Sequence, residues 1–152
     1  MKSFRQFKQE QKGSLNVFDI DDTLFNTFTK IKIRKGSKVV RELDNRAFNT
    51  YILKPGESYD FAEFRNAQVF RDTAKPVHNM ISMAKHVING QTESCKTILL
   101  TARSDFDDRD TFLQTFRDHN FPIDLVHVER AGNLAGRYKS TPNVSKLAVI
   151  RK

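Results

Sequence analysis

The sequence predicts an α/β fold in which a parallel sheet is flanked by helices. Short apolar runs typical of buried strands alternate with amphipathic segments typical of helices along the 152 residues. The order is a strand, a long insert, a helix, a strand, a helix, a strand and a last helix. Strands that alternate with helices favour a parallel sheet with right-handed crossovers. A chain of this length is sufficient for one domain with a hydrophobic core.

The first strand is predicted over residues 15–20, an apolar run that follows Gly13. A helix is predicted over residues 76–89, because Pro76 suits a first helical turn and Gly90 suits a helix end. The apolar face of this helix would hold Val77, Met80, Ile81, Ala84 and Ile88.

Two more strands and two more helices complete the predicted core. The strands are expected over residues 97–100 and 123–128. One helix is expected over residues 107–119, with Phe112, Leu113 and Phe116 turned inward. The last helix would begin at Thr141-Pro142 and place Val144, Leu147 and Ala148 on its apolar side. The core would then span about residues 14–28 and 76–152, in one domain with an insert of about 29–75.

The insert is predicted to contain a β-hairpin. Its strands would be residues 31–34 and 39–43, joined by a turn at Lys35-Gly36-Ser37-Lys38. A short helix is expected at residues 61–64 with Asp60 as its cap, and the rest of 44–75 has no clear assignment.

The chain is basic, with a net charge of +8, and most of the excess lies in the insert. Residues 30–46 contain seven basic and two acidic side chains, a net charge of +5. A basic surface attracts polyanions such as nucleic acid or multiply phosphorylated ligands. Lysines also keep hairpin edges from aggregating, and both interpretations stay open.

Two broad classes of protein are disfavoured. Cys95 is the single cysteine, so an intrachain disulfide and a cysteine-based zinc site are both excluded, and a reducing cytoplasm fits this composition. A membrane protein is not expected, because no apolar run reaches the ~18 residues that a membrane-spanning helix needs.

The strongest chemical signal is Asp19-Ile20-Asp21-Asp22-Thr23, which begins at the carboxyl end of the first predicted strand. In open α/β sheets, ligand sites lie at the carboxyl ends of the strands. Two carboxylates at this spacing can divide the labour of phosphoryl transfer, since one can attack phosphorus while the other handles protons. Carboxylates so close together also favour a cation, and Mg²⁺ prefers such hard oxygen ligands.

The string VFDIDDTLF, residues 17–25, resembles the first signature of the haloacid dehalogenase (HAD) superfamily. The size of the whole chain is also similar to that of superfamily members encoded by bacteriophages. The resemblance implies a Rossmann-like sheet with a β-hairpin flap or cap insertion, and a phosphatase that works through an aspartyl-phosphate. Asp19 would be the nucleophile, and Asp21 the general acid and base. The Asp19 carboxylate and the Asp21 carbonyl would hold Mg²⁺, Thr23 would steady the loop at the substrate site, and Asp22 would be structural.

The resemblance extends to two further signatures. Thr101, at the end of the string TILLTAR, would grip the phosphoryl group with its hydroxyl, aided by the N–H of Ala102. Arg103 would contact the substrate or a neighbouring carboxylate, with a structural salt bridge as the alternative. The family's lysine is Lys146, which lies near the start of the last predicted helix, or else Lys139.

The fourth signature of the family, an acidic pair on a further strand, is missing from the sequence. A chain that continues further, or a degenerate member of the family, would explain its absence. Alternatively an acid from Asp105, Asp107 or Asp108 would reach the metal, although acids in this position also suit a helix N-terminus.

We therefore expect a Mg²⁺-dependent phosphomonoester hydrolase whose substrate is a nucleotide or a phosphorylated nucleic-acid end. Lys32 and Arg34 would help to bind that substrate, as part of the basic hairpin. The alternative is a catalytically degenerate protein with the same fold that binds nucleic acid or regulates a partner. No P-loop or GxGxxG string is present, so the sequence does not indicate ATP or NAD binding.

Overall fold

The computed structural model of the protein describes residues 13–134. Its strands are β1 (Ser14–Phe18), β2 (Phe25–Asn26), β3 (Ile31–Lys35), β4 (Lys38–Leu43), β5 (Glu57–Asp60), β6 (Lys75–Pro76), β7 (Cys95–Thr101) and β8 (His127–Arg130). Its α-helices are α1 (Asn45–Phe48), α2 (Ala67–Thr73), α3 (His78–Asn89) and α4 (Arg109–Asp118). Short 3₁₀ turns cover Ala62–Arg65, Ile123–Leu125 and Ala131–Leu134.

The protein is a mixed α/β structure built around a parallel sheet of three strands. The order in this sheet is β1-β7-β8, and β7 lies in the middle. Helices α3 and α4 connect successive strands and pack into one core cluster with Leu99 of β7. The predicted class, a parallel sheet with flanking helices, is confirmed at this level of detail.

The core is rich in phenylalanine rings from distant parts of the chain. Phe25 follows the acidic motif and lies edge-on to Phe70 of α2 and Phe116 of α4, with ring centroids 5.7 and 5.2 Å apart. Such edge-to-face pairs add to the stabilisation that burial alone provides. Phe70 is 1% exposed, so α2 belongs to the main core although the sequence placed it inside the insert.

The insert is a three-stranded antiparallel sheet with the order β4-β3-β5. The predicted hairpin is present, and its loop consists of Gly36 and Ser37. Gly36 adopts a φ of +61°, which glycine tolerates better than other residues. A second apolar cluster lies under this sheet and contains Ile31, Ile33 and Leu43, with Phe48, Tyr51, Leu53, Tyr59 and Phe64 packed against it.

Two predicted elements differ in kind from those observed, and one observed strand was missed. The strand expected over 123–128 is a 3₁₀ turn followed by β8, because Pro122 lacks an N–H for a strand ladder and its carbonyl accepts from the Leu125 N–H instead. The short helix predicted at 61–64 is a 3₁₀ turn over Ala62–Arg65. Phe61 holds its N-cap position, and the Asp60 Oδ1 caps the turn as predicted by accepting from the Ala62 N–H at 2.9 Å. Strand β5 was not predicted.

The N-terminal residues 1–12, the predicted last helix, Lys139 and Lys146 lie outside the described residues. Among residues 13–134 the longest helix has 12 residues, and none is long and apolar enough to span a lipid bilayer.

Candidate active site

The candidate site lies where two neighbouring strands of the parallel sheet end. Strand β1 ends at Phe18, and Asp19 follows directly. Strand β7 ends at Thr101, and the two strands are hydrogen-bonded neighbours. Because parallel strands present their carboxyl ends at one edge, the two motifs that the sequence singled out meet there.

The acidic motif forms a tight loop that is fixed by its own backbone and by buried neighbours. The Ile20 carbonyl accepts hydrogen bonds from the N–H groups of Leu24 and Phe25, both at 3.1 Å. Asp22 has a φ of +57°, a left-handed conformation that Asp and Asn adopt more readily than most residues. Its carboxylate accepts from Asn45 at 3.3 Å, which links the loop to the insert.

Asp19 is half-buried at the start of this loop. Its Oδ1 accepts a hydrogen bond from the Ile20 N–H at 2.9 Å, which fixes the orientation of the carboxylate.

Asp21 is surrounded by hydrogen-bond donors from three residues, Thr27 in one segment and Thr101 and Arg103 in another. Its Oδ1 accepts from Thr27 Oγ1 at 3.0 Å and from Arg103 Nη2 at 2.7 Å. Its Oδ2 accepts from Thr101 Oγ1 at 3.3 Å. Arg103 Nε lies between the two oxygens, at 3.0 and 3.1 Å. The side chain of Asp21 keeps 20% of its surface exposed, so this carboxylate is held in place and still accessible.

Arg103 is buried, with 1% of its side chain exposed. It pairs with the neighbouring carboxylate of Asp21, which is one of the roles that the sequence left open for it. Besides Asp21, its guanidinium donates to the Phe64 carbonyl at 3.1 Å and to Thr29 Oγ1 at 3.0 Å. The rings of Phe64, Phe70 and Phe106 lie 4.8 to 5.5 Å from its Cζ, within the range of cation–π attraction.

Thr101 and Ala102 contribute to the site from the end of β7. Thr101 is fully buried, and its Oγ1 accepts from the Arg103 N–H at 3.1 Å. Ala102 is half-buried in the loop that follows β7. Thr23, which the resemblance placed at the substrate site, is half-buried and donates its N–H to the Ile20 carbonyl at 3.4 Å.

Gly132 contacts the backbone of the second motif so closely that no side chain fits. A Cβ at this position would lie 2.5 Å from the Ala102 carbonyl oxygen, the Arg103 carbonyl carbon and the Ser104 nitrogen. The Gly132 N–H also donates to the Arg103 carbonyl at 3.1 Å. The loop that carries Arg103 therefore depends on this glycine.

We expect Gly132→Ala to destabilise the protein and to shift the loop after β7. The cost should be about 1–3 kcal/mol, as for overpacking elsewhere, because backbone rather than a flexible side chain must move. Thermal unfolding followed by circular dichroism measures it, with Gly36→Ala as the comparison, since a Cβ at Gly36 meets no atom within 4 Å. Gly36 has a positive φ, so its variant reports strain without a clash; equal destabilisation of the two variants would contradict the prediction.

The two basic residues proposed for substrate binding are paired within the insert. Lys32 lies 3.8 Å from Glu63, and Arg34 Nε lies 2.5 Å from Asp60. The pKa of Asp60 is lowered, first by a hydrogen bond from the Ala62 N–H and then by Arg34. The structure thus places Lys32 and Arg34 on β3, beside acids of the insert rather than beside Asp21.

The acids considered for the missing fourth signature have structural partners. Asp108 caps α4, and its Oδ1 accepts from the N–H groups of Asp110 and Thr111. These bonds lower the pKa of Asp108, that of Thr111 having the largest effect. Asp107 accepts from the Ala67 N–H at 2.9 Å, and Asp105 pairs with Arg130 at 2.7 Å. These contacts favour the interpretation that the three acids belong to the N-terminal region of a helix over the interpretation that they bind a metal.

Thr27 and Thr29 were missed from the sequence, although both contact the site. They lie between β2 and β3, outside any strand, and their hydroxyls reach Asp21 and Arg103. Two threonines directly after the acidic motif were the available signal in the sequence.

The resemblance names the Asp19 carboxylate and the Asp21 main-chain carbonyl as the Mg²⁺ ligands, and both offer the hard oxygens that Mg²⁺ prefers. Engagement of the Asp21 carboxylate by Arg103 is compatible with that set, because the set does not use this carboxylate. Within residues 13–134 there is no group of three or more His, Cys, Asp or Glu side chains placed to hold a metal.

No protein-family model, curated protein or solved structure matched the chain when it was compared with them.

Proposed function

We propose that the protein is a Mg²⁺-dependent phosphomonoester hydrolase of the HAD type, with a Rossmann-like core. One observation carries the proposal: Thr101 Oγ1 lies 3.3 Å from Asp21 Oδ2, although the two residues are 80 positions apart. Each comes from a different sequence signature, and the resemblance requires the two signatures to share one site. The contact brings the two signatures into one site, as the resemblance requires, and it therefore supports the proposal.

The residues can carry out the reaction in two steps. In the first, a carboxylate oxygen of Asp19 attacks phosphorus, the ester P–O bond breaks, and Asp21 gives a proton to the leaving alkoxide. In the second, Asp21 takes a proton from water, the water oxygen attacks the aspartyl-phosphate, and inorganic phosphate leaves as Asp19 is regenerated. Mg²⁺, when bound, supplies positive charge that offsets the charges of the carboxylate and the phosphate.

Thr101 and Ala102 would bind the phosphoryl oxygens. The hydrogen bond from Thr101 to Asp21 is long, at 3.3 Å, so the hydroxyl can turn to a phosphoryl oxygen at little cost. The Ala102 N–H is the next donor along the chain. Lys146 would balance the added negative charge, with Lys139 as its alternative; both lie outside the described residues.

We propose a nucleotide or a phosphorylated nucleic-acid end as the substrate, in the reducing cytoplasm. Support comes from the basic hairpin, where Lys35 and Lys38 are exposed beside the two-residue loop. Lys32 and Arg34 are partly neutralised by acids, so the hairpin tip carries the stronger field for a polyanion.

The test is phosphate release from an aryl phosphate, nucleotides, and oligonucleotides phosphorylated at either end, with Mg²⁺ and with EDTA. We expect release that requires Mg²⁺ and is fastest with a nucleotide or an oligonucleotide. Release that is indifferent to EDTA would contradict the metal, and no release from any ester would contradict the enzyme.

A second candidate is a protein of the same fold that binds nucleic acid without hydrolysis. The observation that favours it is the exposed pair Lys35 and Lys38 at the hairpin tip, a basic surface that attracts polyanions without any catalytic carboxylate. It predicts binding to oligonucleotides that weakens steeply as salt rises, without phosphate release. Binding that is insensitive to salt would count against it.

A further inference from the structure

We infer that Arg103 is a positioning residue that holds Asp21 ready to deliver its proton, and that Arg103 takes its own position from the insert. The inference rests on the proposed function, because it assumes that Asp21 is the proton donor. The resemblance allowed Arg103 to contact the substrate. With 1% of its side chain exposed, Arg103 acts on the reaction through Asp21 instead.

The guanidinium is held by acceptors on all sides. Nε and Nη2 form a fork on the Asp21 carboxylate, Nη2 also donates to Thr29, and Nη1 donates to the Phe64 carbonyl. Forked arginine–carboxylate pairs are directional as well as strong. Removing one partner of a buried pair leaves the other without compensation, so the geometry of Asp21 depends on Arg103.

The two oxygens of Asp21 are held unequally. Oδ1 accepts from Thr27, Arg103 Nη2 and Arg103 Nε at 2.7 to 3.0 Å. Oδ2 accepts at 3.1 Å from Arg103 Nε and at 3.3 Å from Thr101. Arg103 Nε contacts both oxygens, and its Nη2 adds the shortest bond, to Oδ1. Arg103 thus fixes the orientation of the whole carboxylate and holds Oδ1 the more tightly.

Arg103 is also the link between the insert and the proton donor. Thr29 precedes β3, and Phe64 follows β5, so the guanidinium binds both the entry and the exit of the insert sheet. The hydrogen bond between Asn45 and Asp22 adds a third tie. The insert is therefore fixed to the catalytic loop at its base, and a change there would reach Asp21 through Arg103.

Leaving-group dependence tests the inference. The leaving group of para-nitrophenyl phosphate, an aryl phosphate, is a stable phenolate that departs without a proton. The leaving group of a nucleoside monophosphate is the alkoxide of the nucleoside, which needs a proton. We expect Asp21→Asn to slow the nucleotide about 10²- to 10⁴-fold, and the aryl ester much less. Arg103→Met should show the same bias, and it should add little in the Asp21→Asn background because both changes act through one group.

Matched variants separate positioning from folding. Arg71→Met removes an arginine that pairs with Asp118 on the surface, so it should leave the ratio of the two rates unchanged. Thr29→Val keeps the shape of a buried side chain and removes only the acceptor of Nη2; it should slow the nucleotide about two- to tenfold more than the aryl ester. This milder variant carries the test if Arg103→Met does not fold.

The outcomes distinguish the inference from the proposed function. No phosphate release from either ester by the unaltered protein would overturn both. An active protein in which Asp21→Asn is biased toward the aryl ester, while Arg103→Met and Thr29→Val slow both esters equally, would overturn the inference alone. Multiplying effects of Arg103→Met and Asp21→Asn would overturn it as well.

Discussion

Asp19→Asn should abolish phosphate release while leaving the fold unchanged. A carboxamide is neutral and a far weaker nucleophile than a carboxylate, so the aspartyl-phosphate cannot form. The same change weakens the candidate Mg²⁺ site, because it removes the charge of one ligand. Loss of a nucleophile typically costs on the order of 10⁴- to 10⁶-fold in kcat, and the measurement is steady-state phosphate release with saturating Mg²⁺.

The design of this variant makes loss of activity interpretable. Asn keeps an oxygen that can accept the hydrogen bond from the Ile20 N–H, so the melting temperature should stay close to that of the unaltered protein. Asp22→Asn is the matched control, since it removes a charge three residues along and suits the left-handed backbone at that position. Turnover by Asp19→Asn at the unaltered rate would refute the nucleophile assignment, and equal losses in both variants would point to general electrostatics.

The meeting of the two motifs could be predicted because it depends on a simple rule. Neighbouring parallel strands end at one edge of a sheet, so Asp21 and Thr101 needed only correct strand assignments to be placed together. The run at 97–100 sits inside β7, and Thr101 ends that strand as expected. This part of the site follows from local sequence and general topology.

The role of Arg103 could not be chosen from the sequence because its burial depends on distant segments. Its partners Thr29 and Phe64 lie before β3 and after β5, at 74 and 39 residues from it, and only Phe106 lies nearby, in the loop after β7. Strand β5 was missed for a related reason. Its sequence, Glu57–Asp60, is largely polar, and its strand conformation is set by pairing with β3 about 25 residues earlier.

The final prediction concerns Phe25, which connects the acidic loop to the core. Phe25 has no exposed surface, and its ring packs against Phe70, Phe116 and His119. Its backbone holds the loop, because its carbonyl accepts from the Asp22 N–H at 2.7 Å. Phe25→Ala would leave a cavity among these rings, so we expect a loss of about 3–5 kcal/mol in the free energy of unfolding.

Urea unfolding followed by circular dichroism measures the change, and Phe28→Ala is the matched control. Phe28 lies three residues further along the same segment but is 52% exposed, with Lys75 5.5 Å from its ring, so truncation should cost about 1 kcal/mol or less. Because the ring of Phe25 anchors the loop that carries Asp19 and Asp21, the variant should also lose activity at temperatures at which it remains folded. Equal destabilisation by the two truncations would mean that the ring of Phe25 does not hold the loop against the core.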